Sequence, residues 1–130
     1  MPTPAPDAPV LVVEDDADCR VMLATLLTFA GYKVVTASNG AEGLTVARRH
    51  NPCLILLDYM MPVMDGREFR THQRADSSLR DVPVVLVSAR HDAQEVAELL
   101  QVSAVVEKPL VHDALLRTVH EHCPPAQRPT

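Results

Sequence analysis

Five short apolar runs, rich in valine, leucine and isoleucine, recur along the chain, and their spacing restricts its fold more than any other feature. The runs lie at residues 10–13, 33–36, 53–57, 83–87 and 104–106. Successive runs begin 20 to 30 positions apart, which is enough for a crossover helix and too long for a hairpin. The third run is apolar on both faces, as in a central strand covered by helices on each side. The spacing therefore predicts parallel strands.

Stretches with helical periodicity separate these runs. Apolar residues between positions 19 and 30 recur at three- and four-residue spacing, and Gly31 follows as a helix stop. Three further helix starts carry a capping residue followed three positions later by glutamate: Asn39 with Glu42, Asp65 with Glu68, and Asp92 with Glu95. One face of the last helix is predicted to contain Val111, Leu115, Thr118, Val119 and His122. The sequence thus predicts an α/β fold, a (βα)5 chain wound into a doubly wound, parallel five-stranded sheet.

Composition excludes several kinds of function. The net charge of −5 leaves no basic stripe, and the 3% aromatic content leaves no platform for stacked bases, so we expect no direct binding to nucleic acid. The apolar runs are far shorter than a membrane span, and the N-terminus does not resemble a signal peptide. We therefore expect no membrane association and a cytoplasmic location.

The two ends of the chain differ from the middle. Residues 1–9 and 123–130 are rich in proline and poor in apolar residues, so we expect a disordered N-terminal arm and a short tail around one domain at 10–122. Met1 and the short tail favour a stand-alone protein.

The cysteines predict neither a disulfide framework nor a zinc site. Cys19, Cys53 and Cys123 are an odd number at wide spacings that match no zinc pattern or disulfide scaffold. We expect the first two to be small core residues. His120, His122 and Cys123 lie close together in sequence, but an exposed helix end explains them more simply than a metal site.

Polar residues collect just past the carboxyl ends of the predicted strands, where open α/β sheets bind ligands. The first strand is followed by Glu14, Asp15 and Asp16, and later strands are followed by Asp58, Ser88 and Lys108. If the strand order is 2-1-3-4-5, the first and third strands are neighbours, and Asp15 and Asp58 converge.

Carboxylates this close repel one another unless a cation balances them. Carboxylate, carbonyl and water oxygens suit Mg²⁺, or Mn²⁺ in its place. The arrangement indicates phosphoryl transfer onto a carboxylate, with the ion, Lys108 and the Ser88 hydroxyl each holding one phosphoryl oxygen. Taken singly, each residue is explained by a turn or a helix cap. Their conjunction favours the functional interpretation.

Four motifs contain these residues: Val-Val-Glu-Asp-Asp at 12–16, Leu-Leu-Asp-Tyr-Met-Met-Pro-Val-Met-Asp-Gly at 56–66, Val-Ser-Ala at 87–89 and Glu-Lys-Pro at 107–109. Together they resemble the motifs of the response regulator receiver domains. The resemblance covers residues 9–121 and implies a CheY-like, flavodoxin-like fold with strand order 2-1-3-4-5.

The resemblance implies a role for each site residue. Asp58 is the expected phosphoacceptor, and Glu14 and Asp15 form the acidic pair that binds the metal with Asp58. The backbone carbonyl of Met60 is the expected fourth ligand, and Asp16 is a neighbour or helix cap. Ser88 and Lys108 are expected to contact the phosphoryl group, and Pro109 to follow a cis peptide bond.

The resemblance also implies partners. The expected donor is a sensor histidine kinase or a histidine phosphotransfer protein, and an output protein is expected to bind the face of helix four, strand five and helix five. The chain is expected to catalyse only its own phosphorylation and autodephosphorylation, which is not the activity of a conventional enzyme.

Three departures affect the expected output. Val105 stands where the family usually has an aromatic residue, so the usual aromatic coupling is not expected. Val102-Ser103 replaces a common Gly-Ala, and Leu110 replaces the usual phenylalanine. The segment from Ser88 to Lys108 is slightly short, so the fourth helix is expected to be short or displaced.

Two other classes of function are alternatives to this interpretation. A receiver-like module that binds a partner independently of phosphorylation is the alternative, and the intact set of site residues argues against it. A hydrolase with Asp58 as nucleophile would generally need a second aspartate two positions later, where Met60 stands.

Overall fold

The fold alternates strands and helices throughout the residues described by a computed structural model, which are 8–59, 61, 63–89 and 92–123. The strands are β1 (Val10–Val13), β2 (Val34–Ala37), β3 (Leu54–Asp58), β4 (Val84–Ser88) and β5 (Ala104–Glu107). The helices are α1 (Ala17–Phe29), α2 (Gly40–His50), α3 (Gly66–Ala75), α4 (Ala93–Leu100) and α5 (His112–His122). Residues 1–7 and 124–130, most of the predicted arm and tail, lie outside this description.

The five strands form one parallel sheet in the order β2-β1-β3-β4-β5, which confirms the predicted fold class and strand order. Each strand begins within one residue of its predicted run. All residues of β1, β3 and β4 are buried, as expected for strands covered on both faces.

Alternate residues of the central strands face two different cores. Val10, Val12 and the side chains of α1 and α5 belong to one cluster, together with Leu54 and Leu56. Leu11, Val13, Ile55 and Leu57 belong to the other, which contains residues of α2 and α3. The sheet is thus packed between two helical layers.

Two of the three predicted capping boxes have the expected cap. Asn39 accepts a hydrogen bond from the Glu42 amide at 2.9 Å, and Asp65 accepts one from the Glu68 amide at 3.0 Å. The predicted helix start at Asp92 is confirmed, since Asp92 is the N-cap residue of α4, but its side chain makes no cap hydrogen bond. Its backbone, at φ −101° and ψ 23°, lacks the extended conformation of a capping residue.

The prediction for α4 is confirmed, and the prediction for α5 is confirmed in part. α4 has eight residues and is the shortest helix of the described chain, as the short Ser88–Lys108 interval predicted. In α5, Leu115 and Val119 are buried as expected, but Val111 was wrongly assigned to the same face. Val111 precedes the helix as its N-cap residue and is 63% exposed.

Cys53 is a buried core residue as predicted, but it also forms a disulfide that the cysteine spacing did not predict. Cys53, at the entry to β3, forms a disulfide with Cys123 at the C-cap of α5, 70 positions away in sequence. Helices of such a fold run back towards the amino edge of the sheet, so the end of α5 returns to the beginning of β3. Spacing along the sequence does not reveal this proximity.

Candidate phosphoacceptor site

The carboxyl edge of the sheet brings three acidic residues together. Val13 pairs with Leu57, so Glu14 and Asp58 follow at the same level on neighbouring strands. Glu14, Asp15 and Asp58 each have a carboxylate oxygen within 4.8 Å of the others. Glu14 and Asp58 are buried, at 1% and 7% exposure, whereas Asp15 is exposed. One face of the cluster is therefore open to solvent and the other is enclosed.

Glu14 is the most constrained member of the cluster. Burial by itself raises the pKa of Glu14, but hydrogen bonds with the side chains of Asp58, Lys108 and Cys19 outweigh burial and lower it to about 2. The Glu14 carboxylate is therefore ionised at neutral pH.

Lys108 follows the edge strand β5, and its side chain extends to this acidic cluster. Its ammonium nitrogen Nζ lies 2.8 Å from Oε1 of Glu14, and the Lys108–Pro109 peptide bond is cis. Burial lowers the pKa of Lys108, but the hydrogen bond to Glu14 and the charges of Asp58 and Glu14 raise it overall. Lys108 is therefore a permanent cation at the site.

Ser88 is the last residue of β4 and is 2% exposed. Its neighbour on β5 is Glu107, and its carbonyl accepts a hydrogen bond from the Lys108 amide at 2.9 Å. The serine hydroxyl and the lysine thus belong to adjacent strand ends. Met60, the expected carbonyl ligand, lies outside the described residues.

The sequence did not single out Arg20, which braces the acidic loop from α1. Its Nη1 donates to the carbonyl of Glu14 at 2.8 Å and to that of Asp15 at 3.4 Å. Asp16, expected to be a neighbour or helix cap, accepts a hydrogen bond from the Cys19 amide at 2.9 Å and caps α1. The acidic loop is therefore fixed at both its carbonyls and its helix end.

Cys19 also interacts with the site, through Glu14. Burial, followed by the hydrogen bond to Glu14 and its negative charge, raises the pKa of the Cys19 thiol to about 12. The thiol therefore stays protonated and acts as a donor to Glu14. The sequence offered no sign of this role, because a cysteine in the first turn of a helix is uninformative alone.

Val105 lies on β5 beside Leu86 of β4 and packs against a small cluster that contains Leu86 and three residues of α4. The C-terminal end of α4 is also held by α3. Arg70 on α3 donates hydrogen bonds to the carbonyls of Leu100 at 2.8 Å and Gln101 at 2.6 Å. α4 is thus fixed to α3 by a charged anchor and to β5 by aliphatic contacts.

Comparison with known proteins agrees with this architecture. The model of the response regulator receiver domain matches residues 10–120. A probable transcriptional regulator, ycf27, of Pyropia yezoensis is 46% identical over 80 residues, which are 62% of this chain and 32% of that protein. The transcriptional regulatory protein AfsQ1 of Streptomyces coelicolor is 39% identical over 116 residues, 85% of this chain and 50% of that protein. The chain thus spans a third to a half of the length of these relatives.

A similar solved structure is the chemotaxis protein CheY4 of Vibrio cholerae. It has a TM-score of 0.81 and 30% sequence identity, and the match covers 88% of this chain and 98% of that one. The chain belongs to the response regulator receiver domain family. It is a receiver domain of the kind used in two-component signalling. Domains of this family are regulatory and pair with histidine kinases, and Mg²⁺-dependent phosphotransfer is typical of them.

None of the helices in the described residues has the length and apolar character that a membrane span requires.

Proposed function

We propose that Asp58 accepts a phosphoryl group and that Glu14, Asp15 and Asp58, with the carbonyl of Met60, bind the Mg²⁺ ion that this reaction needs. The observation that carries the proposal is the convergence of three carboxylates within 4.8 Å beside a lysine ammonium group. Only Asp58 of the three lies at the end of the central strand β3, flanked by both β1 and β4. It is therefore the carboxylate best placed between the acidic pair and the Ser88 and Lys108 side.

The donor set fits a hard divalent cation. It offers carboxylate oxygens and leaves room for water on the exposed side of Asp15, as Mg²⁺ prefers. The three carboxylates and Lys108 carry a net formal charge of −2 when all are ionised. When bound, the ion would neutralise charge on the phosphoryl oxygens and lower the repulsion felt by the incoming donor.

Asp58 would act as the nucleophile. One of its carboxylate oxygens forms the new bond to phosphorus, while the bond from phosphorus to the donor nitrogen of a phosphohistidine breaks. The electron pair of that broken bond stays on the imidazole. The buried setting of Asp58, 7% exposed, limits the access of water to the acceptor oxygen.

Lys108 would change partners in this reaction. Its Nζ is bonded to Glu14 at 2.8 Å before phosphorylation, and a phosphoryl group on Asp58 offers it an oxygen with more negative charge. The Ser88 hydroxyl would donate to a second phosphoryl oxygen. These two movements would report the phosphorylated state to the ends of β4 and β5.

We further propose that the donor is a sensor histidine kinase or a histidine phosphotransfer protein, and that an output protein binds the face formed by α4, β5 and α5. Because Val105 has no ring to swing inward, a change in the packing of Val105 against α4 would transmit the signal. The chain would catalyse only the formation and hydrolysis of its own aspartyl phosphate.

The experiment is to incubate the full chain with acetyl phosphate and measure intact mass, with Mg²⁺, with Mn²⁺ and with a chelator. We expect one added phosphoryl group with either metal and none with the chelator. Asp58→Asn removes the acceptor and should abolish the gain, whereas the exposed Asp113→Asn should leave it unchanged. A folded, metal-binding protein that gains no phosphoryl group would favour the alternative of a phosphorylation-independent interaction module.

A further inference from the structure

The disulfide between Cys53 and Cys123 lies at the edge of the sheet opposite the acidic cluster. Cys53 directly precedes β3, and Asp58 ends the same strand. Asp58 is five positions along the chain from Cys53, a distance of roughly 16 Å at the usual rise of an extended strand. Chemistry at the cysteine pair is therefore separate from phosphoryl transfer.

Both cysteines are held in place by bonds that do not involve sulfur. The Cys53 amide donates to the carbonyl of Pro9 at 2.9 Å, and the Cys123 amide donates to the carbonyl of Val119 at 2.8 Å. The Tyr32 hydroxyl donates to the carbonyl of Cys123 at 2.7 Å. The backbone around the pair is thus held by hydrogen bonds as well as by the disulfide.

His120 adds a further contact at the same place. Its Nδ1 lies 2.6 Å from the Tyr32 hydroxyl, and the two rings are 5.5 Å apart between centroids. His120, which the sequence predicted only as part of an exposed helix end, thus makes a specific contact with Tyr32. Tyr32 therefore ties the last turn of α5 to the segment before β2, next to the cysteines.

The Cα atoms of Cys53 and Cys123 are 5.7 Å apart, within the range that a disulfide spans without movement of the backbone. Two thiols kept at this separation have a high effective concentration for each other. The free thiol of Cys19, in the first turn of α1, belongs to the opposite edge of the sheet, by Glu14. Within the chain, the pair therefore has no third cysteine with which to exchange.

We propose that Cys53 and Cys123 form a thiol–disulfide exchange site whose co-substrates are small disulfides and thiols of the glutathione class. Two thiols of the chain and one small disulfide give the intramolecular disulfide and two small thiols, so that the chain loses two hydrogens and the small disulfide is reduced. The reverse reaction returns the dithiol. Reversible pairs of this kind are the usual form of disulfide where reductants prevail.

The oxidised state would clamp the end of α5 to the beginning of β3. The bond closes a loop with a sequence separation of 70 residues, which includes Asp58, Ser88 and Lys108. Both cysteines are buried, at 6% and 5% exposure, so exchange requires the last turn of α5 to open. Oxidation would thus limit the mobility of one helix of the domain and leave the acidic cluster intact.

The test equilibrates the full chain in glutathione buffers that range from fully reduced to fully oxidised. Samples are quenched in acid, unfolded and labelled with a maleimide, and the labels are counted by mass. We expect three labels under reducing conditions and one, on Cys19, under oxidising conditions, with a single transition between them, because the chain has three cysteines. Thermal unfolding should shift upwards by about 10 °C on oxidation.

Two results would overturn the proposal, provided that circular dichroism shows a folded chain. Three labels in fully oxidised glutathione would mean that the thiols do not pair. One label in fully reduced glutathione would mean a permanent structural bond instead of an exchange site. The Cys53→Ser variant serves as the control, since its thermal unfolding should not shift upwards on oxidation.

Discussion

The ammonium group of Lys108 lies 2.8 Å from a carboxylate oxygen of Glu14, although the two residues are 94 positions apart. Glu14 follows β1 and Lys108 follows β5, and the ends of β3 and β4 lie between them. This ion pair therefore spans the site in which Asp58 and Ser88 are found. The ion pair holds the Lys108 ammonium group, which a phosphoryl group on Asp58 would attract.

The first prediction concerns pH. The pKa of Glu14 is lowered from 4.5 to about 2 in the folded chain, so its contribution to stability is complete above about pH 4.5 and is lost as the pH falls towards 2. In a chelator, Glu14→Gln should lower the free energy of unfolding by about 1–3 kcal/mol at neutral pH. The difference from the wild type should vanish near the lower pKa.

Denaturant titrations at several pH values measure this difference. The exposed Glu121→Gln variant controls for the general loss of a carboxylate. A difference between wild type and Glu14→Gln that stays constant down to pH 2 would contradict the pairing of Glu14 with Lys108.

The second prediction concerns the reactivity of Cys19. Burial and the neighbouring Glu14 raise the pKa of its thiol from 9.0 to about 12, so the thiolate is about a thousandfold rarer than in an ordinary cysteine. Iodoacetamide should therefore alkylate Cys19 at least about tenfold more slowly than a free thiol at the same pH, because the greater nucleophilicity of a thiolate with a high pKa offsets only part of its scarcity. Glu14→Gln should speed the reaction, because it removes the nearby negative charge. Alkylation of the wild-type chain at the rate of a free thiol would refute the contact.

The third prediction concerns the anchor of α4. Arg70→Ala removes the donors to the carbonyls of Leu100 and Gln101, and also the bond to the Gln73 side chain at 2.8 Å. We expect a loss of about 1–2 kcal/mol in stability, because hydrogen bonds to a charged donor are among the stronger ones. Amide exchange in α4 should become faster.

Arg67→Ala is the matched control, since Arg67 is an exposed residue of the same helix. Hydrogen exchange measured by mass spectrometry compares the two variants. Equal exchange rates in α4 for both would show that Arg70 does not fix this helix.

The fold was predictable because the information that specifies it is local. The apolar runs place every strand to within one residue, and Asn39 and Asp65 cap their helices as their sequence contexts predict. Asp92 marks the start of its helix but does not cap it with its side chain, because a capping motif gives residue types and spacing, whereas the cap also needs an extended backbone.

The candidate site was predictable in part. Strand ends of a parallel sheet meet at one edge, so Glu14, Asp15 and Asp58 could be placed together from their positions in the sequence. Arg20 was not found, because its contacts are to main-chain carbonyls, which any residue provides. The disulfide was missed for a related reason, since a separation of 70 residues says nothing of distance until the path of the helices is known.

The central claim is that Asp58 is the residue that carries the phosphoryl group, and its most direct test is to locate that group. The chain is phosphorylated with acetyl phosphate and Mg²⁺, the acyl phosphate is reduced with borohydride to leave a homoserine residue, and peptides are sequenced by mass spectrometry. The account predicts homoserine at position 58 alone, and none in a sample without Mg²⁺. Homoserine at Asp15 or at any other aspartate, with position 58 unchanged, would contradict it.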